Sequence, residues 1–233
     1  MSDDLLKEIT ADIRAEKLRA NARRYVIFAV ALLVIVFTAL GVWQYRVYQY
    51  NKTIEKASFS YFNTLYKIDP ISGQPVSAEI QKQALEQFKA LSDNSPQSIR
   101  SISQLEQAGI LASEGKVKEA SIIWETLSGD NTAKPEFRSL AGLLWIQHHL
   151  DTASSTELRN RIHKLIEQKT PWTALLKECQ ALLDIKTGKL IEARQVLGQL
   201  TIDMNAPPGV RERASMMLQI IASNKVANQK VPQ

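Results

Sequence analysis

Sulfur, glycine and proline are scarce in this sequence. A single cysteine, Cys179, among 233 residues excludes an internal disulfide framework and a zinc site of the four-cysteine kind, since each needs several sulfurs at set spacings. Nine glycines and eight prolines leave little material for turn-dense all-β folds or long flexible linkers, so helices are favoured. GxSxG, HExxH, GxGxxG and phosphate-cradling glycine-rich loops are missing, and without them no catalytic argument starts from a motif. No catalytic, cofactor-binding or metal-ligating residue is therefore assigned, and neither an enzyme nor a small-molecule substrate is expected. Runs of like charge are also missing. Lys and Arg number 29 against 24 Asp and Glu, yet no five consecutive residues share a sign. Nucleic-acid binding calls for a clustered basic face, so the excess of +5 reads as a solvated surface, with no nucleic-acid partner.

What is present begins with an uncharged stretch of 19 residues, YVIFAVALLVIVFTALGVW, from Tyr25 to Trp43. About 20 apolar helical residues cross a bilayer core of about 30 Å, so this segment is expected to be a single transmembrane helix. A secretory signal peptide is the rival, but its apolar core is shorter and ends in a small-residue cleavage site, whereas here Trp43, Gln44, Tyr45 and Arg46 follow. Arg14, Lys17, Arg19, Arg23 and Arg24 precede the span, against Arg46, Lys52 and Lys56 after it, which keeps the amino terminus cytoplasmic. In a bacterium the remainder is then periplasmic, anchored in the inner membrane. Small residues Ala29, Ala31, Ala39 and Gly41 would suit a neighbouring membrane helix, although no GxxxG pair is present.

Two stretches 73 residues apart lie over each other: AGILASEGKVKEASIIWETL and ALLDIKTGKLIEARQVLGQL. Ala108 meets Ala181, Gly115 meets Gly188, Ala120 meets Ala193, Trp124 meets Leu197 and Leu127 meets Leu200. A helical hairpin is written twice, its glycine closing one helix and its alanine letting the next lie close. Half of the spacing is near the 34-residue tetratricopeptide period, and Pro135, Pro171 and Pro208 recur at 36 and 37 residues, each expected to open a helix. Thr170 is the expected N-cap before Pro171, and Ser154 with Glu157 has capping-box spacing. The expected architecture is all-α, a transmembrane helix followed by a tetratricopeptide-like α-solenoid. Its helices are placed at 77–92, 96–114, 117–128, 135–149, 155–168, 171–186, 189–201 and 208–223. The organisation is a cytoplasmic segment 1–24, the span 25–43, a stalk helix and loop 44–76, the repeat domain 77–223 and a tail 224–233. Within the stalk, Ile54, Ala57, Tyr61, Leu65 and Ile68 share one helical face and are expected to pack on the first hairpin.

Together these parts resemble a known family. The amino terminus ending in ARRY, the single span, DTASSTELRNRIHKL, PWTALLKECQALLDIKTGKLIEARQVL and APPGVRERASMML are similar to the YfgM-like family, ancillary subunits of the SecYEG translocon with a membrane-anchored tetratricopeptide-like domain. The resemblance implies a non-enzymatic protein-binding module of the cell envelope. It also implies partners in the translocon, a PpiD-like chaperone and exported client proteins, with no catalytic residue to carry over. A scaffold for another envelope complex, such as outer-membrane protein assembly, is the alternative. The unit 135–170 departs from the pattern, with HLDTASSTEL where a Gly-Lys turn would stand.

Three residue groups stand out as conceivable sites. His148, His149 and His163 with Asp151 have the chemistry of metal ligands, but adjacent helical histidines point about 100° apart, so solvated positions are expected and no metal is assigned. Trp124, Trp145 and Trp172 lie at apolar helical spacings, which predicts core packing over partner contact. Cys179 sits in the same pattern as Leu175, Leu176, Leu182 and Leu183, and burial is expected.

Overall fold

Breakers punctuate the chain where the hydrophobic period pauses, and the observed helices begin and end at them. The computed structural model describes the backbone of residues 2–68 and 76–229, and the side chains of residues 30, 32–68 and 76–223. Among these residues the fold is all-α, with α1 Ser2–Ile68, α2 Ala78–Asn94, α3 Gln97–Ser113, α4 Val117–Gly129, α5 Pro135–His149, α6 Ser155–Glu167, α7 Thr173–Lys186, α8 Leu190–Ile202 and α9 Pro208–Gln229. The chain forms two compact units, Met1–Glu55 and Lys56–Gln233.

In the first unit the described part of α1 carries apolar side chains that face outward on every side. Val30, Leu33, Ile35, Phe37, Leu40 and Val42 are all more than half exposed. Thr38 turns its hydroxyl back onto its own helix, donating to the carbonyls of Val34 at 2.7 Å and Ile35 at 2.9 Å. The expected span 25–43 falls partly on residues 25–29 and 31, which lie outside those whose side chains are described. Among the described residues no helix is long and apolar enough to cross a membrane. The loop 69–75 likewise lies outside the described residues.

The second unit is built in series. Every helix from α2 to α8 packs against the next one along the chain, and α3 also meets α5, α5 meets α7 and α7 meets α9. At its start the end of α1 presents Ala57 and Tyr61, which join Ala84, Phe88, Leu91 and Ile99 in one apolar cluster. Tyr61 lies 5.6 Å from the Phe88 ring and donates its hydroxyl to Glu106 Oε1 at 3.1 Å. Burial, reinforced by that carboxylate, holds its phenol well above the usual tyrosine range.

The 73-residue repeat is visible atom by atom. Gly115 and Gly188 have φ of +78° and +75°. Around the first, the amide of Gly115 donates to Ala112 O at 3.0 Å and that of Lys116 to Leu111 O at 2.8 Å; around the second, Gly188 donates to Ile185 O at 3.1 Å and Lys189 to Asp184 O at 2.7 Å. Both are Schellman ends, in which a left-handed residue reverses the chain and satisfies the last carbonyls. Ala108 and Ala181, Ala120 and Ala193, Leu127 and Leu200 are fully buried, as are Trp124 and Leu197 to within 1%.

The register also continues past the stretch in which it was read. Asp130 and Asp203 are the C-caps of α4 and α8, their backbones extended. Each accepts at Oδ1 from the amide two residues on, Thr132 at 2.8 Å and Asn205 at 2.9 Å. Beyond these turns Ala133 and Ala206 are buried, Pro135 and Pro208 open helices, and Ala141 and Ala214 are fully buried. The Thr132 hydroxyl and amide, with Gln97, hold the Asp130 carboxyl below the usual carboxylate range.

Two expected helix ends differ. Thr170 does not cap α7 and Pro171 does not open it, because the Thr173 amide donates to Thr170 O at 3.2 Å and closes a turn around Pro171 and Trp172. Trp172, at φ −92° and ψ 9°, has the geometry of the third residue of a type I turn, and Pro171 the second, where a fixed φ suits equally well. At the other end α9 runs to Gln229, past the expected boundary at 223. The Ser154 cap forms as expected, accepting from the Glu157 amide at 3.2 Å.

Two ion pairs tie the later helices together. Arg213 of α9 donates from Nε at 2.6 Å and Nη2 at 2.7 Å to the two oxygens of Glu178 on α7, a fork that compensates a carboxylate only 8% exposed. Arg159 of α6 brings Nη2 to 2.8 Å from Oδ1 of the buried Asp184 off the hydrogen-bond direction, so the attraction there is Coulombic rather than a directed bond.

Two predictions follow from this packing. A Cβ at Gly115 or Gly188 meets nothing within 4 Å, so the cost of Gly115→Ala or Gly188→Ala is purely conformational, about 1–2 kcal/mol each in chemical denaturation. Arg213→Ala strands the Glu178 carboxylate and should cost about 2–3 kcal/mol, whereas replacing both partners by apolar residues of similar volume, Glu178→Leu with Arg213→Met, should cost less than the single change.

Candidate functional site

Two helical faces meet across a cleft in the second unit. Pro135, Arg138, Ser139 and Gly142 recur on α5, and Arg161, Lys164, Leu165 and Gln168 recur from α6 into its end, both at spacings of three, four and seven that put them on single faces. The turn Lys169–Pro171 closes the end of the cleft, whose volume is about 640 Å³. At Gly142 an added Cβ would come to 3.0 Å of Leu165 Cδ1, so α5 and α6 approach there as closely as glycine permits, while the cleft beside it stays open.

The lining is strongly basic. Arg138, Arg161, Lys164 and Lys169 stand against one acid, Glu136. Arg161 is locked into the wall: its Nη2 donates to Glu125 at 2.8 Å and to Glu157 at 2.9 Å, and its guanidinium lies 3.7 Å from the Trp145 ring centre. Arg138 is half-buried, with Nε 3.5 Å from the Ser128 carbonyl. Arg138, Lys164 and Lys169 have no carboxylate in salt-bridge reach among the described residues. Thr170, also in the lining, has a buried hydroxyl with no hydrogen-bond partner.

The histidines, tryptophans and cysteine weighed as sites in the sequence lie outside this lining. His149 stacks on Trp145 at 4.1 Å, with Nδ1 2.8 Å from the Trp145 carbonyl and Nε2 3.1 Å from Ser121 Oγ. A carbonyl only accepts, so Nδ1 carries a proton, and both ring nitrogens are committed within the protein. Asp151 is engaged by Lys186 at 3.2 Å, and His163 is exposed on α6. Among the described residues no three His, Cys, Asp or Glu side chains come together as a metal site. Trp124 and Trp145 are buried; Trp172 is only half-buried and donates Nε1 to the Glu136 carbonyl at 3.2 Å. Cys179 is 2% exposed, and burial, with Glu178 beside it, pushes its thiol up to about 12, which leaves it protonated and unreactive.

The cleft itself was not singled out. Its cations are not a run in the sequence; Arg138 on α5 stands 23 residues before Arg161, and Arg161, Lys164 and Lys169 follow at three and five residues on α6 and the turn after it. Superposing helical spacing on charge, rather than on apolar residues alone, is the signal that would have found it. Elsewhere on the unit Phe59, Phe62 and Tyr66 form an exposed stripe at i, i+3 and i+7, each more than 60% exposed.

His148 is exposed on one side but stacks on Trp124 with centres 4.8 Å apart, and the desolvation of that stacked face, with His149 adjacent, holds its imidazole below the ordinary histidine value. The folded state therefore resists a proton that the unfolded chain accepts. This contribution is complete above a pH of about 6.5 and is lost as pH falls below it. The denaturation midpoint should drop between about pH 7.5 and about pH 5.5, and His148→Gln should make that drop smaller; equal drops would remove His148 as its source. No family model, curated protein or solved structure matches the chain.

Proposed function

We propose that the chain is a membrane-anchored, tetratricopeptide-like helical-repeat protein that works by binding other proteins, without chemistry of its own. The observation that carries this reading is the doubled hairpin with matched glycine turns, matched aspartate caps and matched buried alanines. A repeat of this kind cannot bury its apolar face alone, so units stack in series and leave an extended surface available to a partner. The anchor rests on the uncharged stretch 25–43, on apolar side chains exposed all round the described part of it, and on a threonine whose hydroxyl is satisfied within its own helix.

The finer role comes from the resemblance to the YfgM-like family. On this proposal the amino terminus is cytoplasmic, the repeat domain lies in the periplasm of a bacterial cell, and the protein is an accessory subunit of the Sec translocon that helps pass exported proteins to a PpiD-like chaperone.

Photo-crosslinking in intact membranes tests this, with probes through 25–43 and along the 171–201 hairpin. Adducts with SecYEG or a PpiD-like chaperone are expected. Adducts confined to another envelope complex would overturn the translocon role and transfer the protein to the scaffold class.

A further inference from the structure

We propose that the cleft between α5 and α6 binds an acidic peptide segment of a partner protein, its carboxylates held by Arg138, Lys164 and Lys169. The inference rests on the protein-binding reading above and names the chemistry of one bound segment.

The first ground is charge. Three cations face one cleft with no carboxylate partner among the described residues, and the one acid of the lining, Glu136, is too little to balance them. Like charges gathered along one concave surface repel, and an incoming anion relieves that repulsion while replacing water at several donors at once. Arg161 does not share this role, since Glu125, Glu157 and the Trp145 ring already hold it as a rigid wall.

The second ground is the backbone at Lys169. Its φ is +49°, and it stands alone among non-glycine described residues in the left-handed region. Two other helix ends of this unit solve the same reversal with Gly115 and Gly188, at no steric cost. A lysine there costs about 1 kcal/mol or more relative to glycine, and what the chain gains for it is a side chain at the lip of the basic cleft. Strain of this kind gathers at binding and catalytic positions.

Size and lining decide the kind of anion. A volume of about 640 Å³ belongs to the range of sites that enclose a molecule of many atoms rather than one inorganic ion. Pro135, Leu165 and Pro171 give the walls apolar area among the cations, which suits a peptide's aliphatic and backbone atoms between its carboxylates. The unpaired Thr170 hydroxyl adds a polar group on the same wall. A nucleic acid would instead be met by a basic track extending beyond one cleft.

The full-length chain in detergent, titrated into a short fluorescein-labelled Glu/Asp-rich peptide and followed by anisotropy, tests the proposal. The acidic peptide should bind, a Lys-rich peptide of the same length should not, and affinity should fall as NaCl is raised. Lys164→Glu with Lys169→Glu should weaken binding at least about tenfold. Lys82→Glu with Lys89→Glu, on the exposed face of α2, should leave it unchanged. Lys169→Gly separates the site from the fold, because it should weaken binding while raising the denaturation midpoint. Binding that survives the double reversal, absence of acidic-peptide binding, or tighter binding of a single-stranded oligonucleotide lost on the same double reversal would each overturn the proposal. Translocon adducts in the crosslinking experiment together with no acidic-peptide binding would sink this site and leave the protein-binding reading standing.

Discussion

None of the helices from α2 to α9 has an apolar face that can be left in water, and each is covered by its neighbours in the chain. That constraint sets the rest. Helices that must be covered on two sides by sequence neighbours need tight reversals between them and small residues where their axes come close. Gly115 and Gly188 supply the reversals, and the fully buried Ala108, Ala120, Ala181 and Ala193 supply the close approach. Large side chains then fill what remains: Trp124 in one copy of the hairpin and Leu197 in the other occupy equivalent buried positions with different volumes. Neighbouring helices differ to accommodate this, with His148 lying on the Trp124 ring where Ile221 stands in the later copy. Repetition fixes the backbone, and local substitution tunes each layer.

The cleft forms where that repetition lapses. Between the two good copies, the unit 135–170 has no Gly-Lys turn, and the link from α5 to α6 is instead the turn Leu150–Ser154 capped by Ser154. α6 has the most polar mean composition of the helices capped at both ends and buries only Leu158 and Ile162. A helix with so narrow an apolar face leaves polar flanks beside α5, and Arg161, Lys164 and Gln168 occupy the flank that borders the cleft. The same thin face explains why ion pairs gather here: Arg159 reaches Asp184 on α7, and Arg161 reaches Glu125 on α4. Long charged side chains do at this layer what leucines do at the others, covering apolar surface with their stems while the heads find partners.

Most of the architecture was legible because it is carried by local signals. Glycine at a helix end, proline at a helix start and the three-to-four period of apolar residues are read from adjacent positions, and they placed α2 to α6 and α8 within a few residues. The start of α7 was not legible in that way. Proline is equally at home at the first position of a helix and at the second of a type I turn, so Pro171 by itself does not choose; Lys169 in the left-handed region and the Thr170–Thr173 hydrogen bond do. The Asp130 and Asp203 caps were legible in principle, being identical residues at the same 73-residue offset, but they lie beyond the apolar positions on which the register was built. The cleft was the least legible part, since its charge density exists only after α5 and α6 are brought side by side.

Glu178 and Asp184 show that such pairing does not serve stability alone. Both are buried carboxylates on α7, at positions where the earlier hairpin carries Leu105 and Leu111. An apolar residue there is the cheaper solution, because an ion pair removed from water recovers little more than its own desolvation. What the Glu178–Arg213 pair adds is direction. The two-pronged Glu178–Arg213 contact is made at one rotation of α9 against α7, whereas a leucine contact tolerates several. A solenoid in which each layer rests only on the next accumulates small rotations along its length. Fixing α9 against α7 by this two-pronged contact holds the final layers in one arrangement.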